Sequence, residues 1–316
     1  MHPAEAAWRK VGADVAEIER VDVLEESKKT SVYRLVRPDR PPVIAKRYAG
    51  DGALFERAIY EEVLSPAGVS RLAFHGALPS QAGEGSWSFT EDAGGVQLSL
   101  DDAGHRREAA SWLGDLHAAS SPLVATQPRA DQGRIHHARL TFAREALAEP
   151  PRGASSPRID ELADAARVLG SVSDAWPAIE GVLSAGPATL VHGDFGRRNV
   201  RVRSGRKGRR VVAYDWEMAV VGSPAVDLWW LAQRSDRDGL SVYQRAATAL
   251  WRDVTVDELL GLARVGLALR LVDCIYWSHW DLEWQVSSVL RWSRELEGVI
   301  RLLQDGAPLF GSEGPR

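Results

Sequence analysis

Cysteine is almost absent from this chain of 316 residues, and the single thiol, Cys274, excludes an internal disulfide and any cysteine-based metal cluster. No uninterrupted apolar run reaches the about 18 residues that a membrane span requires. The opening residues, Met1-His2-Pro3-Ala4-Glu5-Ala6, lack the basic start and apolar core of a signal peptide, so a soluble, cytoplasmic protein is expected. Neither sign of charge dominates: 39 Lys and Arg against 43 Asp and Glu leave a net charge of -4, which does not suit a general nucleic-acid binder. Internal repeats are missing too. What is present in quantity is apolar side chain, 45% of the residues, enough for a substantial core.

The stretch that organises the rest runs from Leu190 to Glu217. The apolar run Ala188-Thr189-Leu190-Val191 predicts a strand leading into His192-Gly193-Asp194. Asn199 follows Asp194 by five positions, and Asp215 closes a second strand, Val211-Val212-Ala213-Tyr214. Between them, residues 199–203 alternate like a strand and residues 204–208 carry turn chemistry, so the segment reads as a loop followed by a hairpin. Phosphoryl transfer needs a carboxylate to orient an acceptor hydroxyl, and oxygen ligands to hold the magnesium that bridges nucleotide phosphates. Asp194 suits the first role, and Asn199 and Asp215 the second.

His192-Gly193-Asp194, four residues, Asn199, and then Asp215-Trp216-Glu217 resembles the aminoglycoside phosphotransferase and choline kinase-like branch of the protein-kinase-like fold. The protein-kinase catalytic loop has the same Asp-to-Asn spacing, with Arg where this chain has Gly193 and Asp-Phe-Gly where it has Asp215-Trp216-Glu217. The resemblance implies an α+β fold of two lobes. A small antiparallel-sheet lobe (1–93) would bind the nucleotide, and a larger, mainly helical lobe (94–316) would carry the catalytic and acceptor-binding residues. It also implies ATP or GTP and Mg2+ as cofactors, and a small-molecule hydroxyl as acceptor, with neither nucleic acid nor membrane as partner.

Toward the N-terminus, residues 4–19 read as a short helix, and residues 31–37 and 43–48 as a hairpin around Pro38-Asp39-Arg40-Pro41-Pro42. Val43-Ile44-Ala45-Lys46 resembles the kinase strand whose Lys meets the α- and β-phosphates. A helix expected from Asp51 to Leu64, ended by Pro66 and Gly68, would supply the Glu that steadies Lys46. Glu56 fits best, because Glu56-Arg57-Ala58-Ile59-Tyr60 resembles the family's Glu-x-x-Phe-Tyr; Glu61 and Glu62 read as solvated charges. The loop over the phosphates, Leu24 to Ser31, contains no glycine where many relatives have it. Ser27, Thr30 and Ser31 would have to contribute hydroxyls instead. Residues 83–92 end a strand at Glu91-Asp92, and in the family the linker beginning there, at Glu91 and Ala93, meets the adenine.

Beyond the linker, residues 101–120 show helical spacing with His117 as a packed histidine, and residues 121–157 read as irregular apart from an amphipathic piece at 140–147. His136-His137 has no second cluster at metal-ligand spacing. One or two helices are expected over 159–183. Arg197 and Arg198 lie inside the catalytic loop, where Arg198 is the candidate to steady the transferring phosphate. The run from Arg201 to Arg210 reads as the solvated edge of a hairpin. Ser223 and Pro224 should start a helix in which Asp227 resembles the family aspartate that, with His192, shapes the catalytic loop structurally.

Thr255-Val256-Asp257-Glu258 forms a capping box for a further helix, and the last helix should cover 285–303. If the helix through Asp273 continues, Asp273, Trp277, Trp280 and Trp284 share one face, and with Asp281 and Glu283 could hold a cationic acceptor by cation–π and charge attraction. The same stripe equally suits two helices packing together. The resulting expectation is O-phosphorylation of an antibiotic, aminoglycoside-like or another basic natural product, as a resistance reaction. Metabolic phosphorylation of a choline-like amino alcohol or sugar, or a nucleotide-binding pseudokinase that regulates a partner, are the alternatives.

Overall fold

The computed structural model describes residues 1–11, 18–80, 85–149, 156–205, 208–278 and 282–305. They form two compact units, one from Met1–Ser120 and Phe195–Ala219, the other from Ser121–Asp194 and Val220–Arg316. Among the described residues, no helix is long and apolar enough to cross a membrane.

The first unit is built on β1 (Arg20–Glu26), β2 (Thr30–Arg37), β3 (Arg40–Tyr48), β4 (Phe74–Leu78) and β5 (Ser86–Glu91), an antiparallel sheet in the order β1-β2-β3-β5-β4. Alternation along β2 and β3 sends Tyr33, Leu35, Val43 and Ala45 to one face, where α1 (Pro3–Val11) covers them with Ala4, Ala7 and Trp8. The Trp8 ring lies 5.2 Å from Phe89 of β5. The helix expected over residues 4–19 is thus shorter; residues 12–17 are outside the described set, and Glu19 already bonds Val36 backbone to backbone.

The helix expected from Asp51 exists but is not uniform. Gly52–Ala58 (α2) passes into a π-helical turn, Ile59–Leu64, and then a last turn, Ser65–Ala67 (α3), which Gly68 ends in the left-handed conformation at φ 69°. No residue type announces the wide turn; it buries Ile59, Tyr60, Val63 and Leu64, with the Tyr60 ring stacked 5.0 Å from Phe74. A second sheet joins β6 (Val96–Gln97), β8 (Val200–Gly205) and β9 (Gly208–Ala213).

Helices dominate the second unit. The long α4 (Ala103–Leu123) precedes it, His117 fully buried within. Residues 121–157, expected to be irregular apart from the amphipathic piece at 140–147, contain a full helix, α5 (Gln132–Ala148), which includes that piece and is capped by Asp131 accepting from Arg134 N. Its first half escaped notice because the helix is amphipathic only weakly. Then come α6 (Ser156–Asp174) and α7 (Trp176–Ala185), β7 (Thr189–Val191) paired with β10 (Val220–Gly222), α8 (Ala225–Gln233), α9 (Arg237–Ala246), α10 (Val256–Ser278) and α11 (Leu282–Gln304). Pro224 occupies the cap of α8, one position earlier than its expected place in the first turn. The capping box opens α10: Glu258 N donates to Thr255 Oγ1 at 3.2 Å, and Thr255 N to Glu258 Oε2 at 2.7 Å.

α10 is the axis of this unit and packs against α5, α7, α8, α9 and α11. Leucine, valine and alanine fill most of its circumference because neighbours lie on nearly every side. Gly266 lets it approach α8: a Cβ there would lie 1.8 Å from the carbonyl oxygen of Ala225.

Candidate active site

Each unit carries part of the motif-bearing segment. In the second, β7 delivers the chain to a turn at His192-Gly193-Asp194. Gly193 has φ 80°, a conformation that costs a side-chain-bearing residue about 1 kcal/mol or more. Asp227, fully buried near the start of α8, fastens that turn: its Oδ2 accepts from His192 N at 2.6 Å and its Oδ1 from Gly193 N at 3.0 Å. His192 is buried too and accepts from Asp194 N through Nδ1 at 3.3 Å. Asp194 is left about two-fifths exposed, and Arg270 Nη1 donates to its Oδ1 at 2.9 Å. The Arg270 guanidinium lies 5.5 Å from the centre of the Trp229 ring, so α8 and α10 together aim it.

In the first unit, Phe195 resumes the chain stacked on Trp112 at 5.7 Å. The β8–β9 register pairs Val200 with Ala213, and Tyr214 N donates to Asn199 O at 3.0 Å, so Asn199 and Asp215 sit at the same open end of the hairpin. Asp215 adopts φ 67°, ψ 63°, a left-handed conformation that is strained for a non-glycine residue. It forms an ion pair with Lys46, whose ammonium also meets Glu217 Oε2 at 3.3 Å and lies over the Tyr48 ring at 4.7 Å. Burial acts to lower the Lys46 pKa, but Asp215, Glu56 and Glu217 outweigh it and raise the pKa above its ordinary value. Lys46 is therefore a permanent cation.

The expected Lys46–Glu56 contact takes another form. Glu56 is buried and its Oε2 accepts from Tyr48 OH at 2.8 Å and Ser88 Oγ at 2.5 Å. It acts on Lys46 through its field, while the ion pairs of Lys46 among the described residues are with Asp215 and Glu217. Burial, together with this carboxylate, pushes the Tyr48 hydroxyl far up, so that it remains a donor. Glu217 was missed by sequence reasoning, since its place after Asp215-Trp216 carries no signal of its own.

The glycine-free phosphate loop proves short. β1 extends to Glu26 and β2 starts at Thr30, and Ser27 ties the turn by accepting from Thr30 N at 3.0 Å and donating to Thr30 O at 2.9 Å. Side-chain hydrogen bonding does here what glycine would do by conformational freedom. Ser31 is buried, and Thr30 half-buried.

At the linker, Arg203 departs from the solvated-edge expectation. It donates to Glu91 Oε1 at 2.6 Å, to Asp92 O at 2.8 Å and to Ala93 O, while Arg34 holds the Asp92 carboxylate at 2.7 Å. A strand that alternates in sequence says nothing of what its outward side chains reach across the sheet. Arg198 is exposed, with its carbonyl accepting from Tyr214 OH.

The aromatic face expected on α10 is described only in part: α10 covers Val256–Ser278, so Asp273 and Trp277 lie on it, while Trp280 and Asp281 fall outside the described residues, as do the side chains of Glu283 and Trp284. Asp273 is already engaged: Arg139 Nη1 donates to it at 2.6 Å, and His136 Nε2 lies 3.4 Å away. Burial tends to raise the Asp273 pKa, but His136 and Arg139 outweigh it and hold it below the usual carboxylate range. Arg139 also lies over Tyr276 and Trp277, at 5.8 and 5.9 Å, filling the place foreseen for an acceptor cation.

A family model described as the phosphotransferase enzyme family matches residues 23–264, three quarters of the chain. The chain belongs to that family. This phosphotransferase also shares its fold, an antiparallel-sheet part and a mainly helical part, with solved structures of low identity. The aminoglycoside phosphotransferase of Alicyclobacillus acidocaldarius is 16% identical with a TM-score of 0.61, over 96% of this chain and 95% of that one. Wild-type aminoglycoside 2'-phosphotransferase-IIIa, in its GDP complex, is 12% identical with a TM-score of 0.63, over 93% and 97%. Macrolide 2'-phosphotransferase MphH of Brachybacterium faecium, an apoenzyme, is 14% identical with a TM-score of 0.56, over 99% of both. No curated protein matches the sequence.

The donor set of this phosphotransferase suits a small hard cation. Asn199 and Asp215 offer oxygens at the same open end of the β8–β9 hairpin. Magnesium is commonly held in that manner, by one or two protein oxygens with phosphate and water completing the octahedron.

Proposed function

We propose that this phosphotransferase is a cytoplasmic small-molecule kinase that moves the γ-phosphoryl group of ATP or GTP to a hydroxyl of its acceptor. The observation that carries the reading is the pair of prepared sites on one chain segment. Asp194 stands on a turn fixed by Asp227, and Asp215 is paired with the Lys46 cation beside Asn199. In this reading residues 1–93 serve chiefly the nucleotide and residues 94–316 catalysis and the acceptor. Lys46, charged under all working conditions, neutralises the α- and β-phosphates after exchanging its carboxylate partners for phosphate oxygens. The linker at Glu91 and Ala93, braced by Arg203, borders the adenine, and Ser27, Thr30 and Ser31 border the phosphates.

Asn199 and Asp215 would hold magnesium, which supplies neutralisation of the charge that builds on the phosphate oxygens. Asp194 accepts the acceptor's hydroxyl hydrogen bond and takes its proton as the new O–P bond forms. The bond from phosphorus to the nucleotide's bridging oxygen breaks, and the nucleoside diphosphate leaves with that electron pair. Arg198, on the same loop, steadies the moving phosphoryl group in this reading.

For the acceptor, an antibiotic hydroxyl is the first choice, since the fold neighbours act on aminoglycosides and macrolides by name. The test is nucleoside-diphosphate release over a panel of antibiotics, amino alcohols and sugars. Asp194→Ala should lower turnover by about 10²–10⁴-fold while magnesium-nucleotide binding persists. Turnover within a few-fold of the parent would remove Asp194 from the role of base.

A further inference from the structure

Helix α10 places two arginine–carboxylate pairs within a single turn. Arg270 engages Asp194, and three residues later Asp273 engages Arg139. Each cation also lies against tryptophan, Arg270 over Trp229 and Arg139 over Trp277. Among the described residues, the two carboxylates engaged on this turn carry an arginine each.

A protein surface that receives a polycation leaves several carboxylates uncompensated, because each ammonium that is stripped of water needs a counter-charge. Here the cations are built in. Resting on the kinase reading above, we infer that the acceptor side of this phosphotransferase selects a hydroxyl compound of low positive charge. Arg270 is the specificity-determining residue. An amine approaching the reacting hydroxyl meets the guanidinium of Arg270, a like charge within reach of Asp194. Arg270 is also well placed to donate to an ether, carbonyl or hydroxyl oxygen next to the reacting hydroxyl, once the acceptor has claimed Asp194. Gly266 makes this placement possible, since the close approach of α10 to α8 sets Arg270 one turn further on against Trp229.

The deciding measurement is kcat/KM from nucleoside-diphosphate release with three acceptors: a polycationic aminoglycoside, a macrolide bearing one amine, and a neutral sugar. Each is run on the parent, Arg270→Gln and Arg270→Lys, with melting temperature as a check of folding. The parent is expected to favour the macrolide or the sugar over the aminoglycoside by at least about tenfold, the effect of one like charge at partly screened range. In Arg270→Gln that ratio should shrink about tenfold, whereas Arg270→Lys should retain it. Preference of the parent for the aminoglycoside overturns the inference and leaves the kinase reading intact. So does an unchanged ratio in Arg270→Gln, because a purely structural arginine would slow all acceptors alike. Absence of turnover on all three, and on the wider panel above, removes the kinase reading and this inference together.

Discussion

The two units treat charge in opposite ways. In the first unit a single cation, Lys46, is surrounded by Asp215, Glu217 and Glu56, so that side stays negative. In the second, Asp194 and Asp273 have an arginine apiece. A carboxylate surplus suits a partner that arrives with its own cation, as a magnesium-bound nucleotide does, and a balanced surface suits a partner with little charge. The pairs differ again within the second unit. Asp273 and Arg139 are 14% and 19% exposed, whereas Asp194 and Arg270 are 39% and 37% exposed. The first is a fixture of the core, and the second is open enough to be exchanged for a substrate.

This contrast can be broken experimentally. The largest effect is expected at the surplus: Asp215→Ala should lower turnover by about 10²–10³-fold, with Lys46 left to Glu217 and Glu56 and one metal oxygen gone. A steady-state assay at saturating magnesium checks it, and near-normal rates would mean that the surplus serves folding only. Next comes the turn under Asp194. Asp227→Ala strips two backbone donors of their acceptor, the buried His192 N at about 1–3 kcal/mol and the part-buried Gly193 N at less, and should show in denaturant unfolding as well as in activity. Third, Gly266→Ala forces a methyl against the Ala225 carbonyl and should cost about 1–3 kcal/mol, or about 2–4 °C of melting temperature per kcal/mol. Activity should fall further than stability alone explains, because Arg270 moves with the helix.

The smallest effect lies in the acid limb. Asp273 is held below the ordinary carboxylate range, so in the folded state it binds a proton less readily than in the unfolded chain. Its contribution is then fully present above the unfolded value of about 4 and is lost as pH falls through the lower folded value. Thermal unfolding between about pH 5 and 2 should steepen through this pair, and Asp273→Asn should flatten that slope.

How much could be seen in advance varied with the distance over which each feature is decided. The hairpin of β2 and β3, the capping box at Thr255 and Glu258 and the loop from His192 to Asn199 rest on contacts within a few residues, and their spacing alone announces them. The π-helical turn at Ile59–Leu64 was not legible, because no residue type encodes it, and of helix α5 only the piece at 140–147 was, because its faces are poorly separated in polarity. The partners of the candidate residues were the hardest part. Arg270 reaches Asp194 across 76 positions, Arg203 reaches Glu91 across 112, and Lys46 reaches Glu217 across 171.

The sequence by itself therefore determined the family, since an Asp, an Asn and a second Asp at set spacing within one loop and hairpin are local facts. Tertiary structure alone decided which charges are neutralised, which carboxylate accompanies Lys46 and which arginine guards Asp194. Such pairings depend on how helices and strands distant in the chain pack, and a long arginine or lysine side chain reveals its partner only once that packing is complete.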